Sequence, residues 1–315
     1  MSHADTSRSS LERVLGRVPE RFQVYLPVLP VLTLVGVFIL YPIVRAIYTS
    51  LYEKHLLRPG QAEFTGLGNY AEIWSNPDIH GVLLNTLIWV VVGSVGAIVI
   101  GFVMGWLLYE KLPYVSVASA IVLIPWVLPR VVGASIWQFM FGGSQGIVNE
   151  LLVVTGITDS YVVMLGTSDQ LFGFVSISLI PPIIGMIWRL APLFALLTLT
   201  SFQGIDERLY EAARMDGATP WEEFRYVTLP MMRYNLAIGF LLMLIYNIRN
   251  FSMVWVMTSG GPGLSSTTLP VMIYRQAFTD FNVGLASSLS VLLFAVLLVF
   301  SYYYIKVYDR VQGEF

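Results

Sequence analysis

Three arginines stand inside long apolar stretches of the sequence, where no Asp or Glu accompanies them. They are Arg130, Arg189 and Arg249, and Arg45 stands at the end of a further stretch. A guanidinium at the centre of a bilayer costs at least about 2.5–3.5 kcal/mol on insertion scales. Each arginine must therefore reach an interface, pair with an acid of another chain, or meet an anionic solute.

Two amides and several aromatic rings accompany these arginines. Asn247 and Asn250 are three residues apart, so we expect them to share one helix face. Amides in hydrocarbon need hydrogen-bond partners, which a neighbouring helix or the hydroxyls of a sugar-like solute would supply. The aromatic residues that could stack on such a solute, or that could pack as interfacial anchors, are Trp126, Trp137, Trp188 and Tyr246.

The composition indicates that these residues belong to an integral membrane protein. Of 315 residues, 56% are hydrophobic and 12% are charged, and the mean hydropathy is +0.70. Soluble proteins carry about 25% charged residues, so the composition excludes a cytosolic enzyme, a disordered scaffold and a nucleic-acid binder. There is no cysteine, and the three histidines (His3, His55 and His80) are scattered, so we expect neither a metal site nor a bound cofactor.

Six stretches are long enough to cross the bilayer, whose hydrocarbon layer of about 30 Å needs about 20 apolar residues. They are 23–44, 81–109, 114–141, 171–202, 234–257 and 281–305. We therefore expect an all-α membrane fold with six transmembrane helices. Pro125 and Pro129 are predicted to break the third span, and Pro181–Pro182 and Pro192 the fourth. Pro230 is expected to separate the fifth span from the helix before it. Broken helices at membrane depth are tolerated where they line a cavity, so spans three to five are candidates for a solute path.

Basic residues are divided unequally between the two sides of these spans. With the N-terminus in the cytoplasm, the inside segments hold eleven Lys and Arg and the outside segments hold three. Because cytoplasmic loops are enriched in these residues, we expect both termini to be cytoplasmic. The predicted organisation is a cytoplasmic N-terminal segment (1–23), a six-helix domain (24–305) with a cytoplasmic loop at 203–233, and a cytoplasmic tail (306–315).

The long cytoplasmic loop is predicted to form two short helices with a break between them. Asp206 can cap the first helix, and Gly217 offers the positive φ that ends it. Thr219 and Glu222 have the spacing of a capping box, which begins the second helix. We call this unit, residues 204–230, the elbow.

A segment of the elbow resembles a motif of a known transporter family. Glu211-Ala-Ala-x-x-Asp-Gly-Ala218, with Leu229-Pro230 after it, is similar to the EAA loop of permease subunits in ATP-binding-cassette (ABC) importers. Residues 66–70 and 258–269 resemble two external segments of carbohydrate-importing permeases of the maltose type. Together these similarities extend over nearly the whole chain.

The resemblance implies the compact, six-helix version of the type I ABC importer permease fold, in the inner membrane. It implies that the chain works with a dimer of ATPase subunits, a second and different permease chain, and an extracytoplasmic solute-binding protein. The sequence has no Gly-x-x-x-x-Gly-Lys-Ser/Thr loop, so we expect ATP hydrolysis in the partner ATPase and no catalytic residue here. The residues that the resemblance assigns to ATPase coupling are Glu211, Ala212, Ala213, Asp216, Gly217 and Ala218.

The same resemblance implies a sugar as the substrate. In maltose-type subunits, asparagines at this distance after the EAA loop contact the sugar; Asn247 and Asn250 match them, whereas Arg249 has no counterpart. The candidate substrate-binding residues are Asn247, Asn250, Arg249, Trp188, Arg189, Arg130 and Trp137. The arginines leave open both a neutral sugar and an anionic one with a sulfonate, phosphate or uronic acid group.

An ion-coupled secondary transporter of a small polar solute is the alternative class. Such carriers usually need an intramembrane Asp, Glu or His, and the six predicted spans contain none. The sequence also has no apparent inverted repeat and no convergent set of acids, bases or metal ligands. These features argue against a carrier and against a membrane-embedded enzyme.

Overall fold

The computed structural model describes residues 28–58, 60–110, 114–143 and 146–313, so the predicted segment 1–23 lies outside it. Within these ranges the chain is mainly helical. The helices, in chain order, are α1 (Leu29–Ser50), α2 (Gly68–Ser75), α3 (Pro77–Tyr109), α4 (Val115–Val127), α5 (Arg130–Met140), α6 (Ile147–Val154), α7 (Ile180–Gln203), α8 (Glu207–Met215), α9 (Pro220–Ile248), α10 (Ser252–Thr258), α11 (Leu269–Phe278) and α12 (Val283–Gly313). Two short antiparallel hairpins complete the described structure: β1 (Tyr52–Glu53) with β2 (Glu63–Phe64), and β3 (Gln170–Leu171) with β4 (Val175–Ser176).

The membrane-spanning pattern is confirmed as five long helices and one bent pair. In the described residues, α1, α3, α7, α9 and α12 are each long and apolar enough to cross a membrane. Helices α4 and α5 pass the same test together and meet at an angle of 92°. Counting the bent pair as one broken span brings the total in the described residues to six. Helices α3 and α12 are continuous, as predicted for the second and sixth spans.

Of the prolines predicted to break the third and fourth spans, only Pro129 lies at a break. Pro125 lies inside α4 and Pro192 inside α7, and both helices continue through them, so these two predictions are wrong. Pro129 follows the break between α4 and α5, where Leu128 is extended (φ −57°, ψ 142°) as residues before proline prefer. Pro181–Pro182 instead lie in the first turn of α7, where a missing N–H does no harm. They therefore begin the fourth span, and the part of the predicted span before them forms the β3–β4 hairpin.

The fifth span was predicted at 234–257, and both of its ends are wrong. Helix α9 begins in the elbow at Pro220 and ends at Ile248. Pro230 does not interrupt it, because a π-helical turn at Phe224–Thr228 widens the helix just before the proline. The sixth span likewise runs past its predicted end, so the described part of the tail at 306–315 continues α12.

A row of small residues allows α3 and α7 to pack closely. Gly101 and Gly105 lie one turn apart on α3, and a Cβ added to them would lie 2.5 Å and 2.6 Å from the carbonyl oxygens of Ala191 and Ala195. Small residues at such positions let membrane helices approach along their backbones. This contact fixes α7, and with it Arg189, relative to the rest of the bundle.

The segment before α11 is held against α3 by buried amide and hydroxyl groups. The Asn85 side-chain nitrogen donates to the carbonyl oxygens of Leu264, Ser265 and Thr267 at 3.3, 2.9 and 3.3 Å. Thr86 accepts from the backbone N–H of Leu269 at 2.8 Å. This non-helical segment therefore has its backbone groups satisfied by the neighbouring span, as an ordered loop beside the membrane requires.

Replacing Gly101 with alanine should destabilise the protein, whereas Gly81→Ala in the same helix should not. The new methyl group at 101 would overlap the α7 backbone, and overpacking of this kind costs about 1–3 kcal/mol. Gly81 has nothing within 4 Å of an added Cβ. Thermal unfolding of each purified full-length variant, followed by tryptophan fluorescence, measures the effect. Equal melting temperatures for the two variants would contradict close α3–α7 packing.

Candidate functional site

The bend between α4 and α5 leaves backbone carbonyls without helical donors. In an uninterrupted helix Pro125 O would accept from the N–H of residue 129, but residue 129 is proline and has no N–H. The Arg189 side chain fills this role: its Nη1 donates to Leu128 O at 2.6 Å and to Pro125 O at 3.3 Å. Arg189 therefore has partners within the chain, which are carbonyls of a broken helix and not acids.

A pocket lies in the angle of the bend, between α4, α5, α7 and the end of α9. It is a small cavity of about 30 Å³ with an open mouth, so by itself it holds a group of a few atoms and not a whole sugar. It is lined by Trp126, Arg130, Met186, Arg189, Leu190, Tyr246 and Asn250. An indole, a phenol, an amide and two guanidinium groups thus share one small apolar-walled space. Small-molecule sites commonly combine apolar walls with a few polar groups in this way.

The pocket carries two positive charges that no acid of the described chain neutralises. Across the described ranges, no carboxylate lies within 4.0 Å of the guanidinium of Arg130 or Arg189. Arg130 is solvent-accessible at the first residue of α5, and Arg189 is half-buried near the middle of α7. In the same ranges no three His, Asp or Glu side chains are grouped as a metal site would need.

The two asparagines do not share a helix face, so that expectation is wrong. Helix α9 ends at Ile248, which places Asn247 in its last turn and Asn250 in the break before α10. Asn250 is 2% exposed and lines the pocket, and its Oδ1 accepts from the N–H of Met253 at 3.1 Å. Its Nδ2 donates to Met186 Sδ at 3.3 Å, so Asn250 ties the first turn of α10 to α7 at the pocket wall.

Asn247 is enclosed by neighbouring helices and does not line the pocket. Its Nδ2 donates to Ser94 Oγ and to Met243 O, both at 3.0 Å. Its backbone oxygen accepts from Trp89 Nε1 at 2.9 Å. The bonds with Ser94 and Trp89 join α9 to α3, which is the helix–helix alternative to solute binding, whereas the bond to Met243 lies within α9.

Three further candidates lie outside this pocket. Trp137 and Trp188 contact each other edge to face, with ring centroids 5.8 Å apart, and Trp137 also stacks on Phe141. Arg249 is exposed at the C-terminal end of α9. Trp126 and Tyr246 line the pocket, although the sequence does not single them out as substrate-binding candidates. The sequence signal for Trp126 is its position four residues before Arg130, across the proline break.

The elbow is built as its sequence predicts at three of its caps. Asp206 Oδ1 accepts from the N–H of Arg208 at 3.0 Å, and Gly217 has a φ of 87°. Thr219 and Glu222 form both bonds of a capping box, with the N–H of Thr219 donating to the Glu222 carboxylate at 2.7 Å. Each cap satisfies a backbone group that a helix end would leave free.

Side-chain contacts fasten α8 to the start of α9. Arg214 Nε and Nη2 donate to the two oxygens of Glu223 at 2.8 and 3.3 Å, and this hydrogen bonding raises the pKa of Arg214. The hydroxyls of Tyr210 and Thr228 lie 2.9 Å apart. A bidentate pair and a half-buried hydroxyl contact thus join α8 to the start of α9.

The candidate coupling residues lie on the outer surface of the elbow. Glu211, Ala212 and Asp216 are exposed, Met215 beside them is 88% exposed, and Gly217 forms the turn. Ala213 and Ala218 are half-buried against the rest of the elbow. The exposed face therefore combines two carboxylates, a small residue and a protruding thioether, a surface suited to a protein partner.

Comparison with known proteins identifies the family. Residues 97–308 match the family described as binding-protein-dependent transport system inner membrane component. The chain is 33% identical over 286 residues to a trehalose/maltose transport system permease protein of Thermococcus litoralis, covering 90% of this chain and 92% of that one. It is 30% identical over 307 residues to a lactose transport system permease protein of Rhizobium radiobacter, covering 96% and 98%.

A solved structure has the same fold. It is that of a bacterial ABC transporter involved in the import of the acidic polysaccharide alginate, with a TM-score of 0.73, 19% identity, and coverage of 96% of this chain and 99% of that chain. The six-span topology with its bent third span is thus an ABC importer permease fold. By the match over 97–308, and by its similarity to a relative across nine-tenths of both sequences, the chain belongs to the family of binding-protein-dependent transport inner membrane components, multi-pass proteins of the inner membrane.

Proposed function

We propose that this chain is the permease subunit of an ABC importer for a carbohydrate. The observation that carries the proposal is the similarity over at least 90% of both chains to permeases named for trehalose/maltose and lactose transport. The pocket at the bend adds chemical support. Trp126 and Tyr246 offer aromatic rings for the apolar face of a sugar, and Asn250 offers an amide for its hydroxyls.

The complete importer would contain a second, different permease, two ATPase subunits and an external solute-binding protein. Both termini of this chain would be cytoplasmic, in line with the uneven distribution of Lys and Arg. The elbow and the β3–β4 hairpin lie at opposite ends of α7, whose 24 residues span about 36 Å. That length crosses the bilayer, so the elbow would face the ATPases and the hairpin the binding protein.

The elbow would couple ATP hydrolysis to the pocket through a single helix. Its second helix is the first turn of α9, which continues for 29 residues and ends two residues before Asn250. The ion pair of Arg214 with Glu223 ties α8 to that helix. A displacement of the elbow by an ATPase would therefore be transmitted to the pocket through the continuous helix α9.

An ion-coupled carrier remains the weaker alternative. The family match concerns binding-protein-dependent transport, whereas a proton-driven carrier would need an ionisable acid or histidine at membrane depth. A complex with a stoichiometric ATPase distinguishes the two classes, because an ion-coupled carrier needs none.

Met215→Asp should abolish co-purification of the ATPase with this chain, because a charge would replace the protruding apolar side chain of the proposed docking face. Phe172→Asp is the matched control, since Phe172 is 80% exposed at the tip of the β3–β4 hairpin. Affinity purification of the tagged complex in mild detergent measures the ATPase-to-permease ratio. An unchanged ratio for Met215→Asp would count against the elbow as the docking site.

Asn250→Ser should reduce sugar uptake while the melting temperature stays near that of the unmodified complex. Serine can still accept from the Met253 N–H as a cap, but the amide facing the pocket is lost. Asn247→Ala should instead lower the melting temperature, since a buried amide with two donor bonds is removed at a cost of about 1–3 kcal/mol. Uptake into proteoliposomes and thermal unfolding of the complex measure both effects. Normal uptake by Asn250→Ser would argue that the sugar is bound elsewhere.

A further inference from the structure

The guanidinium groups of Arg130 and Arg189 border the pocket at the bend, and no carboxylate of the described residues pairs with either. We infer that the pocket takes an anionic carbohydrate, with the acidic group of the sugar (a carboxylate or sulfonate) held between Arg130 and Arg189. This inference rests on the proposed function and specifies the substrate class at the same site.

Hydrogen bonds to two backbone carbonyls hold the Arg189 side chain in place, and these neutral partners do not neutralise its charge. Only Nη1 is engaged, by the carbonyls of Leu128 and Pro125. Arginine carries N–H groups on three nitrogens, and among the described residues Nε and Nη2 of Arg189 have no acceptor. The side chain is thus preorganised at the pocket with donors to spare, and neutral carbonyls leave its charge uncompensated.

Arg130 stabilises no other group in the described part of the chain. It makes no hydrogen bond or ion pair there. It also stands at the first residue of α5, where the helix dipole favours anions and disfavours a cation. A guanidinium in this position raises the energy of the empty pocket, and a bound anion would lower it.

Two guanidinium groups bordering one pocket repel each other, and a neutral sugar would leave that repulsion in place. A single acidic group between them offsets it and accepts charge-assisted hydrogen bonds, which are about twice as strong as neutral ones. The rings of Trp126 and Tyr246 and the amide of Asn250 border the same space. Apolar ring faces, a hydroxyl partner and two cations together match a sugar acid.

The test uses the whole importer, reconstituted with its binding protein in vesicles of neutral lipid. ATP hydrolysis and uptake are measured with paired sugars, as mono- and disaccharides: glucose with glucuronate, galactose with galacturonate, and glucose with its 6-sulfonate. We expect an acidic member to drive both activities. In Arg130→Gln, activity with that sugar should fall at least about tenfold, since a hydrogen bond to a charged group is typically worth a factor of this size.

Two variants control for charge and for folding. Arg130→Lys keeps the charge and should retain most of the activity. Arg45→Gln removes a charge from an exposed arginine of α1 outside the pocket, and it should behave as the unmodified complex does. Arg189 is left intact, because its replacement would also free the carbonyls of the bend.

Four results would overturn the inference. Activity with neutral sugars alone, unaffected by Arg130→Gln, would overturn it and leave the proposed function standing. Activity with no sugar of either kind would overturn both. Loss of the second permease from purified Arg130→Gln complexes would show that Arg130 pairs with that subunit. An effect of Arg130→Gln that appears only in vesicles of anionic lipid, whatever the sugar, would identify the anion as a lipid headgroup.

Discussion

A backbone carbonyl within a membrane must find a donor in the protein, and this requirement organises the centre of the molecule. Pro129 removes the N–H that Pro125 O would otherwise use, and Leu128 O also lies free at the break. Irregular backbone at membrane depth is tolerated only where the protein or a water-filled cavity satisfies it. Arg189 on the neighbouring span supplies the donors, so the third span can bend by 92° at membrane depth. The bend opens the pocket, and the arginine that stabilises the bend becomes part of its wall.

The rest of the structure fixes the positions of α7 and α9 relative to that bend. Close backbone contact at Gly101 and Gly105 fixes α7 against α3, and α7 carries Arg189. Helix α9 links the elbow to the pocket without interruption, because the π turn before Pro230 lets the helix pass through the proline. The elbow's caps satisfy its helix ends, and the Arg214–Glu223 pair joins α8 to the start of α9. In the function that we propose, α9 would carry a displacement of the elbow to the pocket.

The sequence allowed some of this to be predicted, for physical reasons that differ from residue to residue. Apolar length located the spans, and the local chemistry of Asp206, Gly217, Thr219 and Glu222 located the elbow caps, since caps depend on neighbours along the chain. The partner of Arg189 could not be predicted, because carbonyls freed by Pro129 become visible only when α4 and α7 are brought together. Two other features could not be predicted because they too depend on tertiary packing: α9 ends before Asn250, and it continues through Pro230. The predicted break at Pro181–Pro182 was wrong because the sequence does not show where the helix begins. Proline is favourable in the first turn of a helix and disruptive only in its interior.

If the pocket at the bend lies on the path of the solute, a thiol placed in its wall should be accessible to water-soluble reagents. The chain has no cysteine, so a single substitution can be labelled without removing others, with the unsubstituted complex as the background. Tyr246→Cys places a thiol in the pocket wall, and Val99→Cys places one on the exposed apolar surface of α3. We expect a membrane-impermeant, water-soluble maleimide to label Tyr246→Cys in the assembled importer and transported sugar to slow this labelling. We expect Val99→Cys to stay unlabelled. Equal resistance of both thiols to labelling, with and without ATP, would contradict a path through the pocket.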